Sequence, residues 1–88
     1  MKVIYLETLA KDLKKIKDKK LLKSLSEVFI NLEEFEDLFQ VSNVKKLSGH
    51  SDVYRIRVGN YRLGIYYVNN KITVARFVKR NDIYKLFP

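Results

Sequence analysis

Arg55 and Arg57 stand two residues apart, Arg62 follows, and Arg80 and Tyr84 complete a set near the C-terminus. A guanidinium stays charged at physiological pH and offers a fork of N–H donors that fits phosphate oxygens. A phenol can stack on a base, or accept a proton in the field of neighbouring cations. Four guanidiniums and one phenol on one surface would bind a phosphodiester and stabilise negative charge growing on it. The structural alternative is that these arginines pair with carboxylates on the protein's own helices. Only Asp52 and Asp82 lie in the same half of the chain, so complete pairing there is not expected.

Other chemistries find little support. Without cysteine there is neither a disulfide framework nor a thiolate metal site. The single histidine, His50, stands beside Gly49 in a turn-like segment and reads as part of that turn. No acidic pair on a strand, no Ser/His/Asp arrangement and no glycine-rich phosphate loop is visible. Neither a metal nor a cofactor is expected.

Charge points the same way. Residues 1–44 hold eight lysines and eight acids, whereas residues 45–88 hold ten basic residues against Asp52 and Asp82. The whole net charge of +8 therefore comes from the second half, which suggests a polyanion or an acidic protein as partner. Lys45, Lys46 and Lys79 extend the expected phosphate-binding set of Arg55 and Arg57. At 88 residues the chain reads as one domain, 1–88. No stretch approaches the roughly 18 apolar residues of a spanning helix, and the N-terminus lacks a signal-peptide pattern. A soluble cytoplasmic protein with no membrane partner is expected.

These side chains need elements to carry them. Lys2 to Leu6 reads as a short strand, and Leu9, Leu13 and Ile16 recur at helical spacing. A second helix follows, with Leu21, Leu22, Leu25, Val28, Phe29 and Leu32 on one stripe and Asp18 near its positive end. The late acids Glu33, Glu34, Glu36 and Asp37 predict a break near Asn31 to Glu33. Val44 to Leu47 is expected to pair briefly with a strand. The period then changes to two over Val53–Val58, Tyr61–Val68 and Lys71–Lys79, with Gly59-Asn60 and Asn69-Asn70 at hairpin spacing. The tail from Asn81 to Phe87 is short, and if helical it would put Arg80 and Tyr84 on one side. The order predicts an α+β fold, β-α-α-β-β-β: an N-terminal strand and two helices packed on a curved antiparallel sheet, its other face free.

"KKLSG", "YRIRVGNYR" and "KRNDIYK" together resemble the RelE/ParE toxin superfamily, and "LAKDLKKIKDKK" is similar to the family's first helix. The resemblance spans nearly the whole chain and is most specific from Val44 to Lys85. It implies a RelE-like microbial ribonuclease-type fold and a ribosome-dependent mRNA endoribonuclease. In that chemistry the ribose 2′-oxygen attacks the adjacent phosphate, leaving a 2′,3′-cyclic phosphate. It also implies an acidic antitoxin as partner in a heterotetramer or larger assembly, besides a 70S-type ribosome and mRNA. Carried over by motif, Arg62, Arg80 and Tyr84 form the catalytic set, and Arg55 and Arg57 hold the RNA backbone. Three positions depart from some relatives, which have lysines at Arg55 and Arg57 or a histidine at Lys79. Positioning and electrostatics are therefore expected to outweigh acid–base work. Two other readings stay open: a ParE-like inhibitor of DNA gyrase, and a non-catalytic RNA- or antitoxin-binding member.

Overall fold

Where the period of two begins, the chain forms β3 (Val53–Val58), β4 (Tyr61–Val68) and β5 (Lys71–Lys79). The bounds agree with those read from the sequence. Gly59 at φ 59° turns β3 into β4, and Asn69 and Asn70 at φ 50° and 61° turn β4 into β5. Glycine and asparagine tolerate that left-handed backbone best. The computed structural model describes all 88 residues. Ahead of the meander come β1 (Lys2–Tyr5), α1 (Glu7–Lys14), α2 (Lys19–Glu34), a 3₁₀ turn (Leu38–Gln40) and β2 (Val44–Lys46), and α3 (Ile83–Leu86) follows it. The five strands form one sheet in the order β1-β5-β4-β3-β2.

The sheet is antiparallel from β5 to β2, and β1 adds to β5 in parallel. The α1–α2 segment carries the chain from β1 to β2 at the opposite edge of the sheet, and the strands β2 to β5 bring it back beside β1, so the parallel pair is joined by the long connection that it needs. β1 pairs with β5 only from Lys71 to Val74. Beyond that point α1 covers the edge with side chains. The Thr8 hydroxyl donates to the Ala75 carbonyl at 2.7 Å, and Asp12 accepts the Phe77 N–H at 3.0 Å. An edge strand is thereby closed to pairing with other chains.

Alternation sorts the side chains between two faces. Ile56, Val58, Leu63, Ile65, Ile72, Val74 and Phe77 point to one side and pack with Leu9, Leu25, Leu32 and Leu38 in the main core. Burying each such side chain contributes about 1.5–3 kcal/mol relative to exposure. Asp18 caps α2 by accepting from the N–H groups of Lys20 and Leu21. The helix ends at Glu34, one residue past the break expected near Asn31 to Glu33. It runs that far because Leu32 is fully buried, and that burial outweighs the dipole penalty of the late acids.

The opposite face is not wholly free, contrary to the sequence expectation. Leu47, Val53, Ala75, Val78, Ile83 and Phe87 form a second cluster under α3, with Tyr66 packed against it. The apolar residues that alternate onto this face are covered by the tail. α3 begins only at Ile83, so Arg80 lies in the preceding turn and shares no helical face with Tyr84. The sheet surface next to this cluster stays open.

Candidate functional site

Arg57 stands directly opposite Arg62 across β3 and β4, and Arg55 stands opposite Lys45 on β2. In a pleated sheet these four side chains share the open face. Arg62 lies opposite Val78, and the Arg80 N–H donates to the Asn60 carbonyl at 2.8 Å. That bond holds Arg80 beside the β3–β4 turn, next to the start of β4. α3 carries Tyr84, which is 67% exposed. Asn43, Val44, Lys45, Arg55, Arg57 and Arg62 line a groove of about 350 Å³.

Arg62 is the centre of the arrangement. It is 7% exposed, and its Nη1 donates to the carbonyls of Gly59 at 3.1 Å and Tyr61 at 2.9 Å. Burial pushes its pKa below the usual guanidinium value, and the charges of Arg55, Arg80 and Arg57 push further. The phenol of Tyr84 opposes them. The same neighbours show that residues from three separate stretches meet around one cation. No carboxylate joins them: the ion pairs of the molecule are Glu7–Lys11 and Asp12–Arg76. A buried cation among like charges, without a counter-ion, makes a site for an anion.

Two expected residues lie elsewhere. Lys46 stands opposite Tyr54, and Lys79 stands opposite Tyr61, which stacks on Phe77 at 5.0 Å. Strand alternation therefore turns both toward the helix side of the sheet. Lys45, one residue from Lys46, remains on the open face. His50 is exposed in the β2–β3 turn.

Three contributors escaped the sequence reading. Asn43, read as linker, accepts from Arg57 Nη2 at 3.3 Å through its side chain and from the Arg57 N–H through its carbonyl. Its φ of 67° is the one local signal, and sequence does not display φ. Arg76, the fifth arginine, forms the internal pair with Asp12 and also donates to the Leu86 carbonyl at 3.4 Å, tying α3 to β5. Gly64 lets the Phe87 ring lie on the sheet, because a Cβ there would sit 2.7 Å from Phe87 Cδ2.

The Gly64 contact is testable. Gly64→Ala should displace Phe87, loosen α3 and expose Lys85 to trypsin at least about 10-fold faster, with the main core intact. That contrast follows because short terminal elements open locally at lower free energy than the core. Limited proteolysis beside a thermal melt reads it out; an unchanged tail would show that the sheet accommodates the methyl group.

The profile of the family described as "ParE toxin of type II toxin-antitoxin system, parDE" matches residues 3–84. The chain is 39% identical to Toxin RelE3 of Methanocaldococcus jannaschii over 90 aligned positions, covering all of both chains. Its structure is similar to a chain of the RelB–RelE antitoxin–toxin complex from Methanococcus jannaschii, with a TM-score of 0.82 and 32% identity, covering 97% of this chain and 99% of that one. The archaeal RelE–RelB complex from Pyrococcus horikoshii OT3 matches with a TM-score of 0.71 at 24% identity, covering 90% and 93%. That last likeness concerns the fold.

Proposed function

The chain belongs to the RelE/ParE toxin superfamily of type II toxin–antitoxin systems, and from that premise we propose that it cleaves messenger RNA on the ribosome. One observation carries the reading: Arg55, Arg57, Arg62 and Arg80 converge without carboxylate partners beside Tyr84. Guanidinium forks gathered in this way, with no carboxylate among them, fit the oxygens of a phosphodiester.

The chemistry follows from charge. The ribose 2′-oxygen bonds to phosphorus and loses its proton, the P–O5′ bond breaks, and the 5′-oxygen takes up a proton. The products are a 2′,3′-cyclic phosphate and a 5′-hydroxyl. Negative charge peaks on the non-bridging oxygens of the pentavalent phosphate, where fixed cations stabilise it most. Arg62 and Arg80 serve there. Arg55, Arg57 and Lys45 hold the flanking backbone, with Asn43 orienting Arg57. Tyr84 stacks on a base or passes a proton. A small acidic antitoxin would neutralise the toxin by covering this face. No helix is long and apolar enough to cross a membrane.

Purified protein added to programmed ribosomes should produce mRNA ends in register with codons. Arg80→Ala and Tyr84→Phe should each lower the cleavage rate by about 10²-fold, the scale on which a charge-stabilising or proton-transferring group acts. Primer extension on the mRNA measures it. Intact mRNA together with gyrase-linked DNA breaks would overturn the proposal in favour of a gyrase inhibitor.

A further inference from the structure

The neutral sum of residues 1–44 hides a separation of charge. Lys14, Lys15, Lys17, Lys19, Lys20 and Lys23 fall within ten residues at the α1–α2 corner, and all six are exposed. None is in an ion pair. The single acid among them, Asp18, is occupied in capping α2. Three of the lysines lie in the opening turns of α2, at the positive end of its dipole, and Glu33 and Glu34 lie in its last turn, at the negative end. α2 is thus charged against its own dipole at both ends, which disfavours the helix. The ends are about 24 Å apart for 16 residues. Helix stability does not account for the pattern, whereas a binding surface does.

The lysine end adjoins the open face. Lys20 shares a groove with Gly59, Asn60 and Tyr61, and Asn60 and Tyr61 also line the neighbouring groove with Lys79 and Arg80. Lys15 and Lys79 border a third groove, also beside Tyr61. Positive surface therefore runs from Arg80 around the β3–β4 turn to the start of α2. It includes Lys79, which strand alternation turns away from the open face.

We propose that this corner is a second RNA-binding surface, gripping the phosphate backbone of a folded RNA while the open face holds the strand to be cut. The proposal rests on the nuclease reading and extends it to a second contact. An acidic protein fits less well. Protein interfaces have an apolar centre, and of the exposed large apolar side chains only Leu86 lines one of these grooves, whereas Tyr5, Leu6, Ile30 and Phe39 lie elsewhere. Phosphate contacts require little beyond cations.

The test is a full-length variant carrying Lys15→Gln, Lys19→Gln, Lys20→Gln and Lys23→Gln, none of which lies in the open face. Its affinity for a synthetic RNA hairpin should fall at least about 10-fold, and the slope of log affinity against log salt should shrink by about 3. Binding of an unstructured oligonucleotide and the melting temperature should stay as in the parent protein. On programmed ribosomes KM should rise with kcat unchanged. Unaltered hairpin affinity and salt slope would overturn the proposal. So would a loss of poly-glutamate binding with hairpin binding intact, which would assign the corner to an acidic polypeptide. Hairpin binding is read without cleavage, so a protein that never cuts mRNA would defeat the nuclease reading and leave this result standing.

Discussion

Arg62→Gln is expected to lower mRNA cleavage on programmed ribosomes by about 10²–10³-fold, while the melting temperature stays within about 5 °C of the parent. The two halves of this result have separate causes. Loss of cleavage follows from removing a fixed cation where charge develops in the reaction. Retention of stability follows from the setting of the side chain. Burial and three neighbouring arginines hold the Arg62 pKa down, so its charged form is less favourable in the folded protein than in the unfolded chain. Removing the charge relieves that penalty. It also removes donors to the Gly59 and Tyr61 carbonyls, each bond contributing about 0.5–1.5 kcal/mol. The effects oppose each other, and the net is small. Arg62→Lys should recover only part of the activity, since an ammonium is a point charge without the fork. Cleavage assays beside thermal melts separate the outcomes. A fall in melting temperature above about 10 °C would show that Arg62 is kept for structure.

Asp12→Ala should lower stability by about 3 kcal/mol, or about 12–24 °C in melting temperature for a domain of this size. Asp12 is 6% exposed and accepts three hydrogen bonds: Arg76 Nε at 2.8 Å, Arg76 Nη2 at 3.0 Å and the Phe77 N–H at 3.0 Å. Truncation strands a partly buried guanidinium and a backbone donor together. The figure sits at the low end for a broken buried pair because the Arg76 side chain keeps 24% exposure and its bond to the Leu86 carbonyl. The hydrogen bond to Asp12 holds the Arg76 pKa above the usual guanidinium value, outweighing burial, and the Asp12 charge adds to it. A raised pKa contributes stability that is complete below the unfolded-state value and is lost only as pH rises through the folded one. The Arg76 contribution is therefore constant from neutral to about pH 10. Urea melts of Asp12→Ala and of Asp12→Leu/Arg76→Met are the measurement. Replacing both partners should restore part of the loss, since no charge is then stranded. A double variant less stable than Asp12→Ala would contradict this account.

Much of the site was legible because strand alternation is a property of the backbone. Arg55 and Arg57 two apart had to share a face, and they do. The same rule turns Lys79, two residues past Phe77, toward the helix side, and it separates Lys45 from Lys46 onto opposite faces. Those two lysines were grouped by charge when the pleat divides them. For Asn43, Gly64 and Phe87 no local rule sufficed. A linker asparagine orients Arg57 only once β2 and β3 pair, and the bare surface of Gly64 has meaning only when the tail folds back on it.

The division follows the range of the forces. Periodicity, turn residues and net charge act within a few residues of chain, so the amino-acid order alone determined the meander, both hairpins, the basic half and the faces of its strands. The partner of Arg76, the burial of Arg62, the cover over part of the open face and the lysine corner beside Arg80 each join segments far apart in the chain. Such contacts depend on how whole layers pack against one another. Only the assembled tertiary structure decided which arginine was neutralised and which were left without a carboxylate partner.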